Sequence, residues 1–265
     1  MRASATNFGP MTELSDGFTE DAFLGGQLRL RQPRAGHRAG HDAMLLAAAT
    51  AARPGDRVAD FGAGVGAAGL AVAKRVPSLR IVLIEIDEAL AALARQNATS
   101  NAIDAEVIAI DIAAGAEAFA AAGLFPDSFD VVLMNPPFNQ PQRHRSSPDK
   151  SRESAHVAEA TTLESWTRAA RRILKTGGVL TLIWRADALA EVLAGLDRGF
   201  GSLTILPVHG TASAPANRVL VRAIKGGRAP TALCPGLMLN DASGLPTKQV
   251  QEILAGKATL PLAKL

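Results

Sequence analysis

Five short apolar runs recur between residues 57 and 184, and charged or turn-forming residues bound each of them. The runs are RVADF (Arg57–Phe61), RIVLIEI (Arg80–Ile86), AEVIAID (Ala105–Asp111), FDVVLM (Phe129–Met134) and GVLTLIW (Gly178–Trp184). Alanine-rich or leucine-rich helical segments lie between them, at Ala67–Arg75, Glu88–Ser100, Ala113–Ala122 and Thr162–Lys175. Strands that are apolar on both faces and alternate with helices are typical of a parallel sheet covered on both sides. The pattern therefore predicts an α/β fold with a doubly wound, Rossmann-like sheet.

The N-terminal part of the chain predicts a leader, a hairpin and a helix. Residues 1 to about 17 show no periodicity, which indicates a loose leader. In DAFLGGQLRLRQP (Asp21–Pro33) a Gly-Gly pair precedes alternating leucines and arginines, as in a hairpin. GHDAMLLAAATAARPG (Gly40–Gly55) predicts a helix that is capped at Asp42 or its neighbour and stopped by the final Pro-Gly.

Beyond the fifth apolar run the elements become shorter. Asp187–Leu196 predicts a helix, and LTILPV (Leu203–Val208) and RVLVRAI (Arg218–Ile224) predict two strands that close the sheet. With the five runs they give seven strands with an antiparallel edge. Near the C-terminus, LMLNDASGLPT (Leu237–Thr247) is compatible with a small hairpin, and TKQVQEILAG (Thr247–Gly256) with a short helix that ends at its glycine.

Length and composition indicate one main domain with appendages. At 265 residues, with 48% hydrophobic and 20% charged residues, the chain is neither disordered nor fibrous in character. We expect residues 1–54 to form the leader, hairpin and covering helix, residues 55–225 the main domain, and residues 226–265 an extension packed on it. The net charge of +3 allows a polyanionic partner without requiring one.

Cysteine and histidine content narrows the classes of site. Cys234 is the only cysteine, which excludes an intrachain disulfide and a cysteine-rich zinc site. His37 and His41 have the spacing of a metal pair but no nearby third ligand, so we expect no metal. The sequence has no apolar secretory region and no run of about 18 apolar residues. We expect a cytoplasmic protein without membrane contact.

A glycine-rich segment follows the first predicted strand and opens a helix. In ADFGAGVGAAGL (Ala59–Leu70) the glycines are Gly62, Gly64, Gly66 and Gly69. Glycines allow a tight turn and let a ligand approach the backbone at a helix N-terminus. Glu85 ends the second apolar run about 20 residues later, where an acid would accept both ribose hydroxyls. The segment therefore predicts a nucleoside site, the alternative being a tight turn without a ligand.

The charge beside this segment selects among nucleoside cofactors. A dinucleotide would bring its pyrophosphate towards the Asp60 carboxylate, whereas S-adenosylmethionine carries an ammonium group and no phosphate. We therefore expect S-adenosylmethionine. Asp111, at the end of the third run, would contact the adenine amine, although an aspartate at a strand end is also a common helix cap.

The fourth run stops abruptly at MNPPF (Met134–Phe138), because two prolines remove backbone donors and fix φ. In a doubly wound sheet this segment lies beside the glycine-rich turn. The Asn135 side-chain oxygen and the Pro136 main-chain oxygen could accept the two hydrogens of a planar amine, and so stabilise the charge that grows during methyl transfer. Phe138 would stack on the substrate. The alternative is a strand-to-loop turn in which Phe138 only fills the core.

These motifs resemble the class I S-adenosylmethionine-dependent methyltransferases that carry an (N/D)PP(Y/F) motif, over Asp56–Ile224. TEDAFLGGQLRLRQPRAGHRAGHDAMLLAAA (Thr19–Ala49) together with LMNPPF is similar to the bacterial family that methylates N6 of an adenine next to the anticodon in a valine tRNA. The resemblance implies that Arg38, Gly40 and Asp42 border the cofactor pocket, and that a helix there covers the site.

The motifs and the resemblance together give a set of expected site residues. The catalytic residues would be Asn135, Pro136, Pro137 and Phe138. The cofactor-binding residues would be Arg38, Gly40, Asp42, Asp60, Gly62, Ala63, Gly64, Gly66, Glu85, Ile86, Asp111, Ile112 and Asn135. A long polar loop, Asn139–His156, would contact RNA phosphates through Arg143, Arg145, Lys150 and Arg152, unless it is only a solvated surface loop.

The sequence thus favours an enzyme that transfers a methyl group from S-adenosylmethionine to N6 of an adenine in structured RNA, in particular tRNA. Guanine-N2 methylation of rRNA stays open, since a phenylalanine at the last motif position is common in those enzymes. Methylation of a protein glutamine amide, a non-catalytic RNA-binding module and a nicotinamide-dependent dehydrogenase are further alternatives. No obligate protein partner is evident.

Overall fold

The computed structural model describes residues 12–13, 17–36, 38–137 and 148–264, and for residues 12–13 and 148–160 it describes the backbone only. The strands in this part of the chain are β1 (Thr12–Glu13), β2 (Phe18–Phe23), β3 (Leu28–Pro33), β4 (Arg57–Phe61), β5 (Arg80–Glu85), β6 (Ala105–Ala109), β7 (Phe129–Met134), β8 (Leu174–Arg185), β9 (Phe200–His209), β10 (Ala216–Lys225), β11 (Ala232–Leu233) and β12 (Leu237–Met238). The α-helices are α1 (His41–Ala49), α2 (Ala67–Arg75), α3 (Glu88–Ser100), α4 (Ala116–Ala121), α5 (Pro148–Ile173), α6 (Leu189–Leu196) and α7 (Lys248–Leu254). Helices and strands alternate as the apolar pattern predicts.

The large sheet has the strand order β11-β9-β10-β8-β7-β4-β5-β6, and β12 also pairs with β9. Strands β8, β7, β4, β5 and β6 are mutually parallel, whereas β10 runs antiparallel to both β8 and β9. The doubly wound α/β fold with an antiparallel edge is therefore confirmed. The described sheet has nine strands rather than seven, because two two-residue strands, β11 and β12, add parallel pairings to β9.

Two hydrophobic cores cover the two faces of this sheet. One core joins α1 and α2 to the N-terminal hairpin and the C-terminal residues, and includes Leu28, Leu70 and Leu262. The other joins α4, α5 and α6 to the opposite face, and includes Phe61 and Trp166. Central strands are buried on both faces, which explains why their sequences are nearly continuous apolar runs rather than alternating ones.

The N-terminal region forms the predicted hairpin and helix with different limits. β2 and β3 pair antiparallel, and β1 pairs with β2, so a strand lies within the expected leader. The N-cap of α1 is Gly40 and not Asp42, which lies in the first turn. The helix ends at Ala49, ahead of the expected Pro-Gly stop, because Thr50 takes an extended conformation; the Thr50 N–H donates to the Ala47 carbonyl and its hydroxyl to the Leu46 carbonyl at 2.8 Å, which satisfies two carbonyls of the last turn.

One expectation about a loop was wrong, and one about a hairpin holds over fewer residues. Helix α5 begins at Pro148, so the expected polar loop Asn139–His156 is helical from there onward. Proline is well suited to the first helical position, where its missing N–H costs nothing, and polar residues after it formed no apolar stripe to reveal the helix. The small hairpin expected within Leu237–Thr247 is present around the antiparallel bridge between Asn240 and Pro246, where the Thr247 N–H donates to the Leu239 carbonyl at 3.0 Å and the Asp241 N–H to the Leu245 carbonyl at 2.8 Å. Leu237–Met238 pairs with β9 instead.

The C-terminal residues pack against α1. Leu260 and Leu262 are fully buried, and the Leu260 N–H donates to the Ala48 carbonyl at 2.9 Å. Among the described helices, none has both the length and the apolar character that crossing a bilayer requires. The described residues likewise contain no group of three or more His, Cys, Asp or Glu side chains arranged to hold a metal ion, and His37 lies outside them.

Candidate active site

The candidate site lies at the carboxyl edge of the parallel strands, where the register brings the motifs together. Phe61, the last residue of β4, is paired with Ile84 on one side and with Met134 on the other. The glycine-rich turn, Glu85 and Asn135 directly follow these three residues in the chain. They therefore leave the sheet beside one another, at the edge where open α/β sheets bind ligands.

The glycine-rich turn, residues 62–66, is held by its own backbone and by Glu85. The Ala63 N–H donates to the Ile84 carbonyl at 2.9 Å, and the Gly66 N–H donates to the Ala63 carbonyl at 2.8 Å. Gly64 donates its N–H to Glu85 Oε2 at 2.7 Å. The loop is thus fixed to the ends of β4 and β5 before helix α2 begins.

Different glycines of this segment are required for different reasons. A Cβ at Gly62 would lie 2.4 Å from the Trp166 ring, and one at Gly69 would lie 2.5 Å from Leu83 Cδ2. A Cβ at Gly64, where φ is +57°, would meet no atom within 4 Å. Gly62 and Gly69 therefore allow close packing of the protein, whereas Gly64 faces open space. Trp166 was missed from the sequence, because it belongs to a helix far along the chain.

Asp60 is buried beneath the turn. Its side chain is 3% exposed, and Oδ2 accepts the Gly69 N–H at 2.8 Å. Burial raises the pKa of this carboxyl to about 7, with a smaller contribution in the same direction from Glu85, and the bond from Gly69 opposes the shift. One Asp60 oxygen therefore ties α2 to β4, and its contact with a ligand ammonium group stays a prediction.

Glu85 and Ile86 form the next part of the edge. Glu85 is 7% exposed, and its second oxygen, Oε1, accepts the Asp87 N–H at 2.9 Å. Each carboxylate oxygen has a further lone pair, so these bonds orient the group without using up its capacity as an acceptor. Ile86 is 63% exposed, which is unusual for a large apolar side chain and leaves a surface that a ligand ring could cover.

Asp111 and Ile112 continue the edge after β6. Asp111 is exposed, and its Oδ1 accepts the Ala113 N–H at 2.8 Å within a turn. It does not cap the following helix, whose N-cap is Gly115. This turn also explains why α4 begins at Ala116 instead of Ala113. Ile112 is 4% exposed and belongs to the core, unlike Ile86.

Asn135 places a buried hydrogen-bond acceptor at the site. Its Oδ1 is buried and has no hydrogen-bond partner among the described residues. Pro136 is buried and Pro137 is exposed. A buried acceptor without a donor costs free energy, about 1–3 kcal/mol, and calls for a ligand or another explanation.

The other residues expected to contact the substrate lie outside the described residues or on a segment whose backbone alone is described. Phe138, Arg143 and Arg145 lie outside the described residues. Lys150 and Arg152 lie on the first turns of α5, where only the backbone is described. Their proposed contacts with RNA stay predictions.

Arg38 is bound into the N-terminal hairpin. Its guanidinium forms a short ion pair with Asp21 Oδ2 and donates to Thr19 Oγ1 at 3.0 Å and to the Pro33 carbonyl at 2.7 Å. Gln32 Nε2 also donates to Asp21 Oδ2, at 2.6 Å. The sequence does not reveal this network, because its members come from both strands of the hairpin and from the segment after it, and only the fold brings their side chains together.

Asp42 contacts the antiparallel edge of the sheet. Its Oδ2 accepts a hydrogen bond from Arg218 Nε at 2.9 Å, and Arg218 is paired with Arg185, the last residue of β8. The ion pair therefore lies at the carboxyl end of β8 and fixes the first turn of α1 there. Gly40 supplies the extended N-cap of that helix.

Comparison with known proteins finds relatives over most of the chain. Residues 40–210 match the family model described as the methyltransferase small domain. The chain is 30% identical over 178 residues to the tRNA1(Val) (adenine(37)-N6)-methyltransferase of Porphyromonas gingivalis, covering 65% of this chain and 68% of that protein. It is 34% identical over 96 residues to ribosomal RNA small subunit methyltransferase C of Pseudomonas aeruginosa, covering 36% of this chain and 26% of that protein.

A solved structure is similar over most of the chain. The crystal structure of a predicted O-methyltransferase from Agrobacterium tumefaciens superimposes with a TM-score of 0.69 at 34% identity. The similarity covers 83% of this chain and 98% of that one.

Proposed function

Because the chain belongs to the methyltransferase small domain family and is an S-adenosylmethionine-dependent methyltransferase, we propose that it methylates N6 of an adenine in structured RNA, in a tRNA near the anticodon. The observation that carries the proposal is Oδ1 of Asn135 beside the glycine-rich turn, which is buried and has no hydrogen-bond partner in the part of the chain that the structure describes. The Porphyromonas gingivalis relative, a tRNA1(Val) (adenine(37)-N6)-methyltransferase by name, supports the choice of base and RNA.

The residues at the sheet edge fit the cofactor. Gly64 faces open space. The Glu85 carboxylate is held at the sheet edge by hydrogen bonds, and its oxygens can accept further ones. Ile86, the next residue, is exposed. We propose that Glu85 accepts the ribose hydroxyls, that Ile86 covers one face of the adenine, and that Gly64 leaves room for the methionine part. The cofactor supplies an electrophilic methyl group on its sulfonium.

Asn135 and Pro136 would prepare the substrate amine. An exocyclic amine conjugated to a ring is a poor nucleophile, since its lone pair is delocalised into the ring. Two oxygens that accept its hydrogens favour a pyramidal nitrogen and stabilise the positive charge that grows on it during transfer. The prolines hold the two acceptors at a fixed spacing, because their φ angles cannot relax. The asparagine does not titrate, so the proton leaves to solvent after transfer.

The paired acceptors favour an amine over a hydroxyl as the methyl acceptor. The similar Agrobacterium tumefaciens structure bears the description predicted O-methyltransferase. A hydroxyl has one hydrogen, and it would leave one of the two oxygens without a donor. The Asn135 environment therefore supports N-methylation in this chain.

Guanine-N2 methylation of rRNA is the second candidate. It presents a similar exocyclic amine, and the Pseudomonas aeruginosa relative is described as a ribosomal RNA methyltransferase. The motif aromatic Phe138 and the basic residues Arg143, Arg145, Lys150 and Arg152 would serve either substrate, by stacking and by phosphate contacts. The two candidates therefore differ in the base, and an experiment has to identify the base directly.

The test is to methylate bulk RNA from a strain that lacks this activity, using labelled S-adenosylmethionine, and to identify the labelled nucleoside after digestion. We expect the label in N6-methyladenosine, and in tRNA after size separation. Label in N2-methylguanosine would support the second candidate. Label in protein, or none in RNA although the cofactor binds, would reject RNA methylation in favour of a glutamine-amide methyltransferase or a non-catalytic RNA-binding module.

A further inference from the structure

Two asparagines of α3 bond to the outer edge of hairpin strand β3. Asn97 Oδ1 accepts the Arg31 N–H at 2.8 Å, and its Nδ2 donates to the Arg31 carbonyl at 3.1 Å. Asn101 does the same to Arg29, with distances of 3.0 Å and 2.6 Å. Each carboxamide thus replaces one residue of a missing neighbouring strand.

The spacing of the two asparagines matches the spacing of their partners. Four residues of an α-helix rise about 6 Å, and two residues of a strand rise about 6.7 Å. Alternate residues of an edge strand point their N–H and C=O away from the sheet. Asn97 and Asn101 therefore meet Arg29 and Arg31 in turn, and the edge of the hairpin is paired without a strand.

Asn97 makes one contact that Asn101 lacks. Its Nδ2 also donates to the Val65 carbonyl, at 3.0 Å, inside the glycine-rich turn. The corresponding third bond of Asn101 goes to the Asn97 carbonyl, within the same helix, at 2.8 Å. Asn97 is 1% exposed, so water is not available to replace its bonds. One buried side chain therefore joins α3, the hairpin and the turn.

The Val65–Gly66 peptide is held on both sides by these contacts. Its carbonyl accepts from Asn97, and its N–H donates to the Ala63 carbonyl at 2.8 Å. Earlier in the turn, the N–H of the Ala63–Gly64 peptide donates to Glu85 Oε2. Rotation of the Val65–Gly66 peptide would break a bond at each end, so the open face at Gly64 keeps one orientation.

We propose that Asn97 is a positioning residue for the cofactor: it fixes the glycine-rich turn in its binding conformation and couples that turn to docking of the β2–β3 hairpin. The proposal depends on S-adenosylmethionine as cofactor and not on the identity of the methylated base. Coupling of this kind is reciprocal, so a ligand in the site also stabilises the hairpin. The hairpin also bonds to Arg38 through Thr19, so Asn97 links the glycine-rich turn to the element that holds Arg38.

The test compares Asn97→Ala with Asn101→Ala, because both remove a two-bond clamp on the same strand and only the first reaches the turn. Calorimetry with S-adenosylhomocysteine should show a dissociation constant raised about 3- to 10-fold for Asn97→Ala, the size expected for one lost hydrogen bond. Asn101→Ala should change it less than about twofold. The thermal midpoint should fall in both variants.

Amide hydrogen exchange of the ligand-free protein provides a second measurement. Asn97→Ala should speed exchange in a peptide spanning residues 62–69, and Asn101→Ala should leave that peptide unchanged while speeding exchange in residues 28–33. In the unaltered protein S-adenosylhomocysteine should slow exchange in the hairpin, and this effect should disappear in Asn97→Ala.

Equal losses of affinity in the two alanine variants, or unchanged exchange in residues 62–69, would overturn the proposal. If Asn97→Ala does not fold, Asn97→Ser takes its place, since serine keeps one donor and one acceptor in a small side chain. It should weaken S-adenosylhomocysteine binding more than Asn101→Ser does, and equal binding by the two serine variants would again overturn the proposal. None of these measurements involves RNA, so they stand apart from the test of the proposed substrate.

Discussion

Phe61 and Met134 are paired neighbours at the ends of the parallel strands β4 and β7. The chain continues from Phe61 into the glycine-rich turn and from Met134 into Asn135. The part of the molecule suited to the cofactor and the part suited to the substrate amine are therefore adjacent, because two strands end at the same level.

Asn135→Ala should lower kcat about 10²-fold or more and leave the affinity for S-adenosylhomocysteine nearly unchanged. The substitution removes an acceptor whose proposed contribution arises in the transition state, so the loss belongs in kcat. Steady-state methylation of the RNA substrate and calorimetry with S-adenosylhomocysteine provide the two measurements.

Asn135→Asp is the matched control, because it keeps an acceptor oxygen of nearly the same size at the same place. It should lose less activity than Asn135→Ala, in keeping with the aspartate that the related motif tolerates. Unchanged turnover in Asn135→Ala would reject the role of Asn135, and equal loss in both variants would show that the acceptor oxygen is not what matters.

Gly62→Ala and Gly64→Ala should fail in different ways. A Cβ at Gly62 would collide with the Trp166 ring, so that variant should lose about 2–4 kcal/mol of stability from overpacking and backbone strain. Gly64 has a positive φ, but a Cβ there would meet no atom within 4 Å, so Gly64→Ala should lose only about 1–2 kcal/mol of stability. The added methyl group should instead obstruct the cofactor. Urea unfolding and S-adenosylhomocysteine binding separate the two effects.

Replacing Trp166 in the Gly62→Ala background provides the control. Trp166→Leu alone should lower stability, since Trp166 is buried in the core, so the comparison is a double-mutant cycle. Gly62→Ala should cost less stability in the Trp166→Leu background than in the unaltered protein, because the added methyl group then has room. The cost of Gly64→Ala should be the same in both backgrounds, because a Cβ there meets no atom within 4 Å. If Trp166→Leu reduces neither cost, the close contact at Gly62 is not the reason for that glycine.

The sequence was sufficient for features that local chemistry determines. The limits of β4 and β7 were predicted correctly, because charged and glycine residues bound the first and two prolines end the second. The positions of Glu85 and Asn135 at one sheet edge followed from the alternation of strands and helices. The apolar runs were visible because both faces of those strands are buried.

Other features depend on contacts between distant residues. Gly62 was assigned to ligand approach from its place in the motif, yet its neighbour Trp166 lies on α5. Asp21, Gln32 and Arg38 form one buried network across the hairpin, and no local pattern identifies such a set. The start of α5 was missed because a polar helix and a polar loop have similar compositions.

Stability should depend on pH through Asp60. Its folded pKa of about 7 lies above the unfolded value, so the folded state keeps a proton that the unfolded state releases between about pH 4 and 7. Stability due to this group therefore falls as pH rises, by at most about 1.4 kcal/mol for each pH unit. Asp60→Asn should lack this slope in urea unfolding, since asparagine keeps an acceptor for Gly69 and carries no charge.

Asp130→Asn is the control for Asp60, because the Asp130 shift has the opposite sign. Burial alone would raise the pKa of Asp130, but this effect is outweighed. The carboxylate accepts hydrogen bonds from Lys175 and from the Arg57 N–H and lies near the Arg80 charge, and together these hold its pKa below the usual value. Its stabilisation is present above the unfolded pKa and is lost only as pH falls below about 4. The difference between Asp130→Asn and the unaltered protein should therefore stay constant between about pH 5 and 8. A constant difference for Asp60→Asn as well would show that Asp60 does not titrate there.

Asp21→Ala should destabilise the protein far more than Glu20→Ala, although the two residues are adjacent and each pairs with an arginine. Asp21 is 4% exposed, and its removal leaves the Arg38 guanidinium without its carboxylate, which we expect to cost about 3 kcal/mol. Glu20 is 38% exposed and pairs with Arg29, itself 65% exposed, so its loss should cost less than about 1 kcal/mol. Urea unfolding measures both variants, and equal losses would mean that the Asp21 network does not hold the hairpin.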